Sequence, residues 1–172
     1  MECAIIPTMP DRAAIRVVPV SPPWRDALLS LRVTAPQRDF VSDIEPSLID
    51  AERCQGSTPM AILRGEVPVG YYRIEAQARS LADCDFDRPA VGLRSFFIDY
   101  RWQGQGLATQ ALQALIGDLA GRHPEAQLLV LLTHGRNLPA LRLYLRAGFV
   151  DTGQLYHGGR SGPQHLLWRA LP

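Results

Sequence analysis

The sequence predicts a single α+β domain built on about seven strands. Short runs rich in β-branched and apolar residues alternate with amphipathic runs of helical period, in the order β-α-α-β-β-β-α-β-α-β-β. The length, 172 residues, is about one domain's worth and suffices to bury a core. No repeat, low-complexity tract or linker divides the chain, so residues 1–172 are expected to form one unit, with 1–14 as an N-terminal extension.

The elements follow in order. Residues 15–20, IRVVPV, are β-branched and read as a first strand. Residues 21–33 begin with Ser21 as N-cap and two prolines, then carry apolar residues on one side, so they predict a helix. The acidic stretch 39–56 predicts a second helix after Pro46, ending at Gly56. PMAILRG and VPVGYYRIE meet around Gly65–Glu66 as a hairpin. Residues 78–90 read as a polar loop, and 91–99, VGLRSFFID, as the fourth strand. A helix over 106–121 carries Leu107, Ala111, Leu112, Leu115, Ile116 and Leu119 as one stripe. Residues 126–134 are continuously apolar, as a strand buried on both faces would be. A helix over 137–148 stops at Gly148, and two closing strands flank a turn at 158–162.

Composition bounds the function. Hydrophobic residues make up 47% and charged residues 20%, as in a soluble globular protein. No apolar run approaches the roughly 20 residues that cross a bilayer, and the first residues, MECAIIPTMPDRAA, lack the basic-then-apolar form of a secretory leader. Cys3, Cys54 and Cys84 are widely spaced and form no CxxC, which suggests free thiols in a reducing compartment and neither a disulfide frame nor a metal site. A cytoplasmic protein is expected. The net charge of +1 argues against a nucleic-acid partner. Residues 1–100 hold 11 arginines against 14 acidic residues, and residues 101–172 hold 7 against 3. The basic half contains the stretch that carries the most chemistry.

That stretch is Arg101–Leu112, RWQGQGLATQAL. Two glycines break an apolar strand and open a helix, which leaves backbone N–H groups from about Gln103 to Ala108 bare at the positive helix end. Such a turn receives an anion such as a pyrophosphate without any cationic side chain. A dinucleotide fingerprint does not fit, since Thr109 takes the third small position and the preceding strand is the fourth. A P-loop needs a lysine, and the chain has none. Asp83-Cys-Asp85-Phe-Asp87 has Arg88 and Arg94 where a calcium loop needs Gly and Glu.

Arg101-Trp102-Gln103-Gly104-Gln105-Gly106 fits [Q/R]-x-x-G-x-[G/A], and Asn137 to Phe149 fits N-x-x-A-x-x-L-Y-x-x-x-G-F, with a strand between them. In both motifs the chain resembles the GNAT superfamily of N-acetyltransferases, strongly over residues 91–158. Within it, FFIDYRWQGQGLA looks like the fourth strand of bacterial spermine/spermidine (diamine) acetyltransferases. The resemblance implies the GNAT fold: a mixed sheet with helices on both faces, splayed between strands 4 and 5. It also implies acetyl-CoA as co-substrate, with no metal. Phe97, Ile98, Arg101, Gln103, Gly104, Gln105, Gly106, Leu107, Ala108, Asn137, Ala140 and Tyr144 are then the cofactor-binding residues.

In the resembled family the Tyr at position 144 faces the thioester sulfur, and a phenol can protonate a departing thiolate. Many relatives place a Glu on the fourth strand as base, but LRSFFID has none. His134 and Glu75, at the ends of the fifth and third strands, are the candidates. The implied acceptor is a small-molecule amine. Asp39, Asp43, Glu45, Asp50 and Glu52 would suit a polyamine, or form a solvated helix face. Peptide N-termini, antibiotics and amino acids are the other acceptors, and a non-catalytic acetyl-CoA sensor is the competing class. A homodimer through the closing strands is implied by resemblance alone.

Overall fold

The structure, a computed structural model, describes residues 13–172. The expected N-terminal extension, apart from Ala13 and Ala14, and Cys3 lie outside the described residues. Seven strands form one sheet: β1 (Ile15–Pro19), β2 (Ser57–Arg64), β3 (Val67–Glu75), β4 (Ala90–Ile98), β5 (Leu128–His134), β6 (Val150–Tyr156) and β7 (Gln164–Ala170). Their spatial order is β1-β2-β3-β4-β5-β7-β6. Every neighbouring pair is antiparallel except β4 and β5, as expected for a mixed sheet.

The helices are α1 (Pro22–Leu29), α2 (Ile44–Arg53), α3 (Arg79–Ala82), α4 (Leu107–Arg122) and α5 (Leu138–Arg146). Strand alternation sends side chains to two faces. Met60, Ile62, Leu129 and Leu131 meet the apolar stripe of α4 together with Tyr144 and Phe149. Ala61, Leu63 and Tyr71 meet Leu28 of α1 and Leu48 of α2 on the other face. Farther along that face, Leu128 and Val130 pack on Ala82 of α3. Helices therefore cover both sides, as the sequence implies.

Three of the differences from expectation have clear local causes. α1 ends at Leu29 because the Ser30 hydroxyl and N–H both bond back to the Ala27 carbonyl, closing the turn locally. α2 starts before Pro46, which sits in the first turn where a missing N–H costs nothing. The expected polar loop at 78–90 contains the single turn α3, stopped by Asp83 in the left-handed region at φ 51°.

β4 and β5 pair only from Ala90–Leu128 to Leu93–Leu131. Beyond Leu93, β4 stays with β3 while β5 stays with β7 out to His134–Gln164. A bulge causes the parting. Arg73 lies opposite Arg94 and Tyr71 opposite Phe97, so two residues of β4 oppose one of β3. Ser95 in that bulge has φ 57°, a left-handed conformation that turns the strand away from β5. The sheet opens where the sequence reading expects it to.

Candidate active site

A cavity of about 420 Å³ occupies the opening on the α4–α5 side. Its floor begins at the Gly104–Gly106 turn. Both glycines have φ 75°, and neither would bring a Cβ within 4 Å of another atom. Their need is thus conformational: L side chains resist that region. Gly106 caps α4 without a side-chain bond, and the N–H groups from Gly104 to Thr109 find no acceptor among the described residues.

The turn is held from behind by Asp99, which has no exposed surface. Its carboxylate accepts the N–H of Arg32 at 2.8 Å, the N–H of Arg101 at 3.0 Å and the Arg101 guanidinium Nε at 2.7 Å. Burial pushes its carboxyl upward, but the Arg101 guanidinium and the two backbone donors outweigh that and hold it below the usual carboxylate range. The Gln103 amide donates to the Ile98 carbonyl at 2.8 Å and meets Gln37. Since the next N–H, of Asp99, donates to Val69 across the ladder, alternation turns the peptide groups of Ile98 away from β3 and into the opening.

Tyr144 stands at the inner end of this cavity, against Phe96 and Phe149 at centroid distances of 6.3 and 5.5 Å. Burial pushes its phenol well above the usual tyrosine range. Among the described residues no fully buried side-chain polar atom lacks a partner, so the Tyr144 oxygen, which bonds to no protein group, opens on the cavity. Asn137 lines it too, with Oδ1 accepting the Ala140 N–H at 3.4 Å as the helix cap.

A smaller space of about 60 Å³ carries the opening through the sheet. It shares Asn137 and Tyr144 with the first cavity, and Ser95 and His134 with a third of about 320 Å³ on the far side. Phe40 and Val41, from the α1–α2 connection, line all three. His134 is buried at the end of β5, its ring 5.3 Å from that of Phe40. Burial and the charge of Arg136 lower its pKa, against an opposing pull from Asp39.

Of the residues named from sequence, Phe97, Ile98, Gln103, Gly104, Gly106, Leu107, Ala108, Asn137, Ala140 and Tyr144 line the large cavity. Arg101 does not: its guanidinium is spent on Asp99. Gln105 points away, accepting from Arg64 at 3.3 Å. Glu75 is also elsewhere. It is buried between Arg73 at 3.2 Å, Arg94 at 3.5 Å and the Ser57 hydroxyl at 3.0 Å, so it cannot reach an amine in the opening. Sequence reasoning missed Phe96, whose place the bulge decides, and Gln37, Phe40 and Val41, which carry no local signal. Thr109 and Leu143 were within reach, one in the first turn of α4 and the other one helical turn past Ala140.

The sequence profile described as the acetyltransferase (GNAT) family matches residues 9–149. The chain belongs to this family. It is 32% identical over 150 residues to the spermine/spermidine N(1)-acetyltransferase of Bacillus subtilis (strain 168), covering 86% of this chain and 95% of that one. Solved structures that share the fold include two acetyltransferases. The aminoglycoside N(6')acetyltransferase of Legionella pneumophila superposes with TM-score 0.71 at 14% identity, over 95% of this chain and 94% of that one. The spermidine N-acetyltransferase of Vibrio cholerae, in complex with CoA and spermine, does so with TM-score 0.67 at 13% identity, over 91% and 95%. Among the described residues no helix is long and apolar enough to cross a membrane, and no cluster of His, Cys, Asp and Glu could hold a metal ion.

Proposed function

We propose that this GNAT protein is an N-acetyltransferase that moves the acetyl group of acetyl-CoA to the primary amine of a small molecule. One observation carries the reading: a row of bare N–H groups, Gly104 to Thr109, leads through one cavity to an unbonded phenol and on to a buried imidazole. The N–H row and the α4 terminus fit a pyrophosphate. The edge of β4 freed from β5, where the Ile98 N–H faces the opening while its carbonyl is held by Gln103, fits an amide-bearing arm laid along it. Arg101 and Gln105 serve this site by fixing the turn and not by touching the ligand.

Bound acetyl-CoA supplies a thioester carbonyl open to a neutral amine. The Ile98 N–H polarises that carbonyl. His134 takes the amine's proton, being neutral because burial and Arg136 lower its pKa. The N–C bond forms, the C–S bond breaks, and Tyr144, which keeps its proton because burial raises its pKa, donates that proton to the thiolate sulfur.

For the acceptor, the names of the relatives favour a polyamine. Of the acidic run, Asp39 alone lines the far cavity. Asp50 is paired with Arg73 at 2.8 Å and Glu52 with Arg25 at 2.8 Å. The test is release of free thiol from acetyl-CoA against spermine, spermidine, aminoglycosides, amino acids and short peptides. Turnover with any of them supports the enzyme. Binding of acetyl-CoA with no turnover on any amine favours the sensing module instead.

A further inference from the structure

The far cavity differs in character from the one that holds the glycine turn. Polar groups dominate its lining, and its charges are unequal: Arg94 and Arg160 stand against the single carboxylate of Asp39. Arg94 does reach Glu75, but at 3.5 Å and with its side chain 38% exposed, whereas Glu75 is held more closely by Arg73 at 3.2 Å. Arg160, on the exposed β6–β7 turn, has no ion-pair partner among the described residues. That turn is tied down by the Arg136 guanidinium, which donates to the Ser161 carbonyl at 3.1 Å. The other carboxylates on this face, Asp50 and Glu75, are balanced by Arg73, which touches both, together with Arg94.

A polyamine brings several ammonium groups and would need carboxylates to receive them. Here the charges left over are the unpaired Arg160 and the Arg136 charge that already acts on His134, against the one carboxylate of Asp39, and like charges facing each other disfavour binding. Resting on the acetyltransferase reading above, we infer that the acceptor is an amine carrying its own carboxylate, of the free amino-acid kind. Asp39 and His134, which line the cavity together, would face the ammonium end. Arg94 and Arg160 determine specificity by taking the carboxylate, for which a guanidinium fork is well shaped. The transfer is the same as above: the amine nitrogen gains the acetyl carbon, the thioester C–S bond breaks, and the protons pass through His134 and Tyr144.

The experiment compares matched pairs, each free amino acid with its own carboxamide, and spermidine beside them, by steady-state thiol release from acetyl-CoA. The carboxamide has the less basic amine and therefore more free base at neutral pH, so a preference for the acid has to come from binding. The inference predicts kcat/KM at least about tenfold higher for the acid than for the carboxamide, and little turnover of spermidine. Arg160→Gln, on an exposed turn, should raise KM for the acid and leave that for the carboxamide unchanged. Arg94→Gln should do the same, but it also removes a partner of buried Glu75, so Arg160→Gln decides. Turnover of spermidine with acids no better than carboxamides overturns the inference and leaves the acetyltransferase intact. Tight acetyl-CoA binding with no thiol release on any amine removes both.

Discussion

Tyr144 on α5 and His134 on β5 line one cavity of about 60 Å³, in the opening left where β4 and β5 part beyond Leu93. A phenol held protonated and an imidazole held neutral thus share one space, each by burial. Acid and base assignments follow from environments that push two pKa values apart. Here the two shifts leave the phenol protonated and the imidazole neutral near pH 7, the starting states that the proposed transfer uses.

Replacing Tyr144 by Phe removes the hydroxyl and keeps the packing against Phe96 and Phe149. Turnover should fall about 100-fold, within the usual range for a general acid. Acetyl-CoA affinity, measured by calorimetry, should stay within about twofold. Unchanged turnover would take Tyr144 out of the mechanism.

The acid limb of kcat/KM should lie below the ordinary histidine value of 6.5, because burial and Arg136 favour the neutral ring. Arg136→Gln removes a lowering influence and should move that limb to higher pH. Asp39→Asn removes a raising influence and should move it lower. The amine's own titration is common to all three proteins, so the opposite displacements isolate His134. Displacement in the same direction, or none, argues for another base.

Asp99 links Arg32 of the α1–α2 connection to the glycine turn. Its carboxyl pKa is lowered in the fold, so its contribution to stability is complete above the unfolded value near 3.8 and is lost as pH falls through the lower folded value. Asp99→Ala leaves the Arg32 N–H unpaired and should cost about 1–3 kcal/mol, seen as a lower denaturation midpoint. Asp99→Asn should flatten the acid side of the stability–pH curve. A curve with the same acid slope as the parent would place that linkage elsewhere.

Gly104→Ala and Gly106→Ala each force a Cβ into φ 75°, in otherwise open space. Each should cost about 1–2 kcal/mol of strain or rearrange the turn. Acetyl-CoA binding should weaken at least about tenfold, while the β4 and α4 cores, read by circular dichroism, remain. Full affinity in both variants contradicts a role for this turn in binding.

The parts of the site written in contiguous sequence were legible from it. The glycine turn announces itself because left-handed φ values and an uncapped helix start are local demands, and Asn137 to Tyr144 is one helix face. The bulge was not legible: Ser95 adopts φ 57° only because Arg94 and Phe97 are both pinned to β3, a constraint from another strand. Phe40 and Val41 reach all three cavities from a connection whose path depends on Asp99 and Gln103. The partners of the acidic run, open in sequence between a polyamine and solvent, were not legible for the same reason, since Arg73 and Arg25, remote in sequence, pair with Asp50 and Glu52. Arg101 has the residue type of the motif but serves the buried carboxylate two positions before it.

The N–H row from Gly104 to Thr109 and the β4 edge at Ile98 are the proposed receivers of acetyl-CoA. At 19.1 kDa the protein suits backbone amide NMR, and a titration with acetyl-CoA reads those groups individually. The largest amide shifts are expected at Gly104, Gly106, Leu107, Ala108 and Ile98, saturating together. Saturable binding that leaves those five amides unmoved, or no binding at millimolar acetyl-CoA, would contradict that role.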